Sequence, residues 1–264
     1  MKVKQEIAPA TQFFNEDAFG KEENTVLRWL GGGGAFINSR GTCIMIDPLL
    51  KGFDMPIVID MPIKTEQVPH LDGILVTHCD NDHYSEPTLQ DLKGVCNEVH
   101  TTHYVADLMK TEKIDGKGHD IGDTFCIDHV KIKLTPADHA WQNEKPKYKR
   151  EFQIEDYCGF WLDTPDGSIW MPGDSRLLPE HLLMPAADAI FLDFSDNEWH
   201  IGLEGAVKLA NTYPDAQLIL IHWGTVDAPE WSTFNGDPHK LKGLVKNPDR
   251  VHIFAAGEPL VLKR

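Results

Sequence analysis

The 264-residue chain is poor in several things that would each assign it to a class. No run approaches the ~18 apolar residues of a membrane-spanning helix; the cleanest stretches are short, such as Leu218, Ile219, Leu220 and Ile221. The opening residues lack the apolar core of a secretion signal, so no export is expected. Cysteine is scarce: Cys43, Cys79, Cys96, Cys126 and Cys158 are odd in number, widely spaced and without a C-x-x-C pair, which points to reduced thiols in a cytoplasmic setting. Basic charge is also short, with 25 Lys and Arg against 41 Asp and Glu for a net charge of −16. A nucleic-acid partner is therefore not expected, because phosphate binding needs a basic face. There is no fixed-period repeat and no Ser/Gly linker.

What is present is a series of short apolar runs broken by turn residues. Strands are expected at 25–30, 42–46, 73–77, 130–134, 160–162, 168–171, 189–192, 218–221 and 251–254, with helices at 104–112 and 203–211. Hairpin-like and helix-separated spacings alternate, which describes one α/β domain of mixed sheets over 1–264, with 1–24 as an N-terminal extension. Gly31, Gly32, Gly33 and Gly34 lack the G-K-[ST] ending of a phosphate loop and read as a tight strand connection.

The chemistry is concentrated in Thr77-His78-Cys79-Asp80-Asn81-Asp82-His83, where two imidazoles and two carboxylates crowd a loop directly after an apolar strand. A cation is the economical organiser of such a loop. Further donors follow other strands: His139 after 130–134, Asp174 in Met171-Pro172-Gly173-Asp174-Ser175, and His222 after 218–221. Loops at strand ends can project all of them into one cleft.

In this order the residues resemble the metallo-β-lactamase superfamily of metal-dependent hydrolases, whose usual loop is H-x-H-x-D-H, followed by a distant His, an Asp after Gly, and a last His. Asp47 also matches an early aspartate of that family, and the resemblance runs from about Val26 to Leu262. It implies a four-layered αβ/βα sandwich, two mixed β-sheets flanked by helices, and two divalent metal ions. One ion would take His78, Asp80 and His139, the other Asp82, His83 and His222, with Asp174 bridging. The implied reaction is hydrolysis of a small anionic ester, lactone or phosphoester by a hydroxide that the ions activate, with Asp82 also moving protons.

Asp80 departs from the family pattern, which has a second His there. Three carboxylates, two divalent ions and a hydroxide balance to neutrality, an oxygen-rich setting that shifts preference from zinc toward manganese or iron. The variation is similar to the ascorbate-6-phosphate lactonase branch, whose members use manganese. A phosphodiesterase or nuclease and a non-catalytic metal-binding module are the rival readings, while flavodiiron-type chemistry would need a flavin domain for which the chain has no room. The expected partner is a small-molecule substrate, with neither membrane nor nucleic acid, and homo-oligomerisation is left open.

Three features have two readings each. Lys145, Lys147, Lys149 and Arg150 either recognise a substrate phosphate or carboxylate or form a solvated loop. Trp141 and Tyr148 on that segment either line the pocket or pack on the core. His200 either acts at the site, as a catalytic or supporting group, or occupies a surface or helix-capping position. Cys79, between donors, is expected to point away.

Overall fold

In a computed structural model, which describes residues 5–145 and 147–263, the chain folds as two seven-stranded sheets face to face. The first sheet contains β1 (Thr25–Gly31), β2 (Gly34–Ser39), β3 (Thr42–Ile46), β4 (Gly73–Leu75), β5 (Val99–Thr102) and β6 (Gly116–His119). The second contains β7 (Thr124–Ile127), β8 (Val130–Pro136), β9 (Cys158–Thr164), β10 (Gly167–Met171), β11 (Ala189–Asp193), β12 (Gln217–Ile221) and β13 (Val251–His252). The last strand, β14 (Pro259–Val261), returns to the edge of the first sheet beside β1. Both sheets mix antiparallel hairpins with parallel pairs, as the expected αβ/βα sandwich requires.

Sequence pattern and burial agree strand by strand. β12, read as Gln-Leu-Ile-Leu-Ile, runs parallel between β11 and β13 and is buried on both faces, hence its unbroken apolar run. β8 alternates buried and exposed residues at its start because only one face meets the core. The inter-sheet core gathers Leu27, Trp29, Ile37, Ile46, Phe160, Trp170, Ile190 and Leu220, each contributing about 1.5–3 kcal/mol if aliphatic and more if aromatic. Four α-helices among the described residues cover the outside: α1 (Glu86–Leu92), α2 (His103–Thr111), α3 (Gly202–Thr212) and α4 (Pro238–Leu244). α1 starts where Ser85 Oγ accepts the Thr88 amide at 3.1 Å, with Pro87 in its first turn. α3 buries Ala206, Leu209 and Ala210 against the second sheet.

The expected strands and both expected helices are present with shifted ends; 73–77 shortens to Gly73–Leu75 and 251–254 to Val251–His252. β2, β5, β6, β7 and β14 were not expected. β6 reads Gly-Lys-Gly-His and β7 is largely exposed, so neither carries an apolar signal. Residues 5–24 lie along the fold: Ala8 and Gln12 donate amides to the carbonyls of Gly224 and Ala256, and Asn38 Nδ2 donates to the carbonyls of Ala18 and Gly20. Asp166, in the β9–β10 turn, accepts from Thr25 N at 2.8 Å and Arg40 Nε at 3.0 Å, tying the second sheet to the first. No helix among the described residues is long and apolar enough to cross a membrane, and the five cysteines are free.

His100 is buried where the edges of the sheets meet, its ring stacked on Phe125 at 3.9 Å and its Nδ1 2.8 Å from His119 Nε2. Burial lowers its pKa to about 4, with Glu98 opposing and His119 reinforcing the shift. An imidazole of depressed pKa contributes stability that is present above its unfolded value, about 6.5, and is lost as pH falls to about 4. His100→Gln is therefore expected to flatten the acid limb of a thermal-stability profile between those limits; a limb parallel to that of the parent protein would contradict this.

Candidate metal centre

The strand ends on one side of the sandwich carry the donors. Asp47 follows β3, the loop at 77–83 follows β4, His139 follows β8, Asp174 follows β10, Asp193 ends β11 and His222 follows β12. All are largely buried, the side chains of Asp80 and Asp82 keeping the most exposure at 12% and 13%. Two of these residues, Asp47 at φ 44° and His222 at φ 64°, hold the left-handed backbone that L-residues avoid. The His222 amide donates to the Gly32 carbonyl at 2.8 Å, so the glycine turn between β1 and β2 fixes this donor directly. A Cβ at Gly33 would fall on the His83 ring, which explains a glycine at the closest approach of that turn.

Two donor sets contain the residues singled out in the sequence, and a third grouping, Asp174, Asp193, His200 and His222, overlaps the second of them. His78, Asp80 and His139 place one ligand atom each within 4.8 Å of one another, and Asp82, His83, Asp174 and His222 do the same. Asp174 lies between them: its Oδ2 is 3.1 Å from His83 Nε2, 3.3 Å from His222 Nε2 and 3.8 Å from His139 Nε2. Every residue singled out in the sequence as a metal donor is thus in one place. His200 is there too, with Nδ1 2.5 Å from Asp193 Oδ2 and 3.7 Å from Asp174 Oδ2.

The imidazoles are aimed by what holds their other nitrogen. His83 Nδ1 donates to Asp47 Oδ2 at 2.8 Å, His139 Nδ1 to the Trp199 carbonyl at 2.7 Å, His222 Nδ1 to the Thr233 carbonyl at 3.0 Å, and His78 Nδ1 to Thr77 Oγ1 at 2.9 Å. Thr77 Oγ1 in turn donates to Asp47 at 2.6 Å. In each case Nε2 is the atom presented to the centre. Asp80 is held by Trp141 Nε1 at 2.6 Å and Gln142 Nε2 at 2.5 Å, and Gln142 accepts from Tyr157.

These residues fit divalent cations. His78 Nε2, His83 Nε2 and Asp174 Oδ1 are buried with no hydrogen-bond partner, a cost the protein alone leaves uncompensated, and all three lie in the donor sets. Nitrogen and oxygen donors without sulfur suit zinc, manganese or iron. Burial opposes ionisation of Asp174, yet the charges of His222, His83 and His200 outweigh it and hold the carboxyl well below the usual range. Asp80 is likewise held low, burial being outweighed by His139 and His78. Burial would lower the pKa of His222, but Asp174, Asp193 and Asp82 push it up to about 10.

The flanking residues with two readings are placed as follows. Arg150 pairs with Asp156 at 2.6 Å and lies over the Tyr104 ring at 3.6 Å. Tyr148 packs edge-on against Phe152, while Trp141 reaches the centre through Asp80. Cys79 packs among Tyr104 and its apolar neighbours, away from both donor sets, as expected. Asp193, Gln142 and Thr77 were missed. Of these only Asp193 carried a signal, a carboxylate ending an apolar strand in the manner of the other donors.

Residues 42–223 match the Beta-lactamase superfamily domain. A UPF0173 metal-dependent hydrolase of Pelotomaculum thermopropionicum is 28% identical over 83% of this chain and 92% of its own. One from Methanosarcina barkeri is 24% identical over 89% and 98%. Among solved structures, the metallo hydrolase Igni18 of Ignicoccus hospitalis superposes with a TM-score of 0.70 at 18% identity, covering 91% of this chain and 99% of that one. The chain belongs to the beta-lactamase superfamily, and its relatives of nearly full-length coverage there are metal-dependent hydrolases.

A raised imidazole pKa stabilises the metal-free fold fully below the unfolded value of about 6.5, and that contribution is lost as pH rises through about 10 for His222. Metal-free protein is expected to lose melting temperature between pH 7 and 10, whereas protein loaded with metal, whose ions replace those protons, keeps it. Equal alkaline slopes for the two forms would contradict the assignment.

Proposed function

We propose that this metal-dependent hydrolase carries two divalent cations and cleaves a small ester, lactone or phosphoester bearing a negative charge. The observation that carries the reading is Asp174: one carboxylate stands within 3.8 Å of His83, His222 and His139, donors of both sets, and its Oδ1 is buried and unpartnered. His78, Asp80 and His139 would hold one cation and Asp82, His83 and His222 the other, with Asp174 shared. When bound, such a pair supplies an activated water and polarises a carbonyl or phosphoryl oxygen.

The chain's own groups do the rest. Asp82, slightly open to the cleft, stands 3.1 Å from His222 Nε2 and is placed to take a proton from attacking water. His200, fixed by Asp193, stands beside Asp174 and keeps that carboxylate in register between the two sets. Trp141 and Gln142 restrain Asp80, the residue that makes the first set more oxygen-rich and favours manganese or iron over zinc. With Arg150 occupied by Asp156, exposed Lys145, Lys147 and Lys149 are the groups left on that loop to attract an anionic substrate. A small molecule suits this centre better than nucleic acid, since the net charge of −16 supplies no basic face. The free cysteines support a cytoplasmic setting.

A panel of lactones, carboxylic esters and phosphoesters assayed with manganese, iron or zinc tests the proposal. At least one class should turn over, and Asp174→Ala should lower kcat/KM by about 10³-fold, the loss of several kcal/mol of transition-state stabilisation. Rates indifferent to Asp174→Ala would sink it. Replacing Lys145, Lys147 and Lys149 together by Ala should raise KM for anionic substrates while sparing kcat; an unchanged KM would remove the charge argument.

A further inference from the structure

We propose that Cys43, His70 and Asp72 form a separate binding site for a zinc-like divalent cation, at the end of the first sheet remote from the catalytic donors. The topology makes this a different place. β3 and β4 run parallel, with Ile44 beside Gly73, so Cys43 and Asp72 sit together at the strand starts, whereas Asp47 and His78 lie beyond the opposite ends. Four steps along the strand, about 13 Å, separate Cys43 from Asp47.

One ligand atom from each of Cys43, His70 and Asp72 lies within 4.8 Å of the others. The pair at the base is rigid: the Cys43 amide donates to Asp72 Oδ2 at 2.7 Å and the Asp72 amide to the Cys43 carbonyl at 2.8 Å, which leaves the second Asp72 carboxylate oxygen for a cation. Among the described residues the buried thiol makes weak sulfur hydrogen bonds to the carbonyls of Phe19 at 3.5 Å and Gly41 at 3.7 Å, which a cation could replace. His70 is exposed, its ring set edge-on to Phe19 with centroids 6.3 Å apart, and can turn onto an ion arriving from solvent. Burial chiefly, with Asp72 and Glu22 adding to it, pushes the Cys43 thiol up to about 12, and the negative charge of those two carboxylates favours a divalent cation in place of the proton. On binding, the thiol proton passes to solvent and the thiolate takes the metal. Sulfur, nitrogen and oxygen donors with a fourth position for water suit zinc or cadmium, whereas the catalytic set contains no sulfur.

Cadmium added to the metal-loaded protein is the probe. One further equivalent should bind, with an ultraviolet thiolate-to-cadmium charge-transfer band that disappears in Cys43→Ser. In His70→Ala, which removes an exposed side chain and leaves the core intact, affinity should fall about tenfold or more while catalysis persists. Absence of the band would show that no thiolate takes the ion, and a band of undiminished affinity in both variants would place the cadmium on another thiol; either result would overturn the site. Either result is independent of whether the catalytic reading holds.

Discussion

Burying Asp174, Asp82, Asp193 and Asp47 together with His78, His83, His139, His200 and His222 removes strongly hydrated groups from water at one edge of the molecule. Mutual ion pairing offsets part of that cost, as the low carboxylate and raised imidazole pKa values show. It leaves Nε2 of His78, Nε2 of His83 and one oxygen of Asp174 without a hydrogen-bond partner. A polar cluster so incompletely satisfied is a poor way to stabilise a fold and a good way to hold cations, which supply the missing charge.

The rest of the structure serves that convergence. Strands from both sheets end on the same side, so donors as far apart in the chain as His78 and His222 meet without long excursions of the chain. The last degrees of aim come from local devices: left-handed backbone at Asp47 and His222, a glycine turn that receives the His222 amide, and Gly173, whose φ of 74° lets Asp174 turn inward past the Cys158 carbonyl. Asp47 binds no donor set itself, yet its two oxygens hold Thr77 and His83 and so orient two imidazoles at once. Rigidity beneath the centre comes from the inter-sheet core, where Trp29 and Trp223 stack at 6.1 Å close to the ends of β1 and β12.

How much of this was legible in the sequence depended on whether the signal was local. The loop at 77–83 declares itself because its donors are contiguous, and His139, Asp174 and His222 were found by one rule, a donor immediately beyond an apolar strand. Asp193 obeys the same rule but sits inside the strand's last position and among other acids, which hid it. Gln142 and Thr77 act by hydrogen bonds that exist only once the chain has folded. The pairing of Arg150 was hidden for a comparable reason: Asp156 and the ring of Tyr104 hold it, and nothing in the spacing of a basic run reveals that. Among the strands, those with apolar runs were visible, while β6 and β7 at the sheet edges are held by pairing with β5 and β8 and carry little pattern of their own.

The measurement that bears most directly on this account is anomalous diffraction from crystals of the protein grown with manganese. Two peaks are predicted, one bounded by His78, Asp80 and His139 and the other by Asp82, His83 and His222, with the Asp174 carboxylate between them. A fully loaded crystal with His139 and His222 beyond coordination distance of any peak would contradict it.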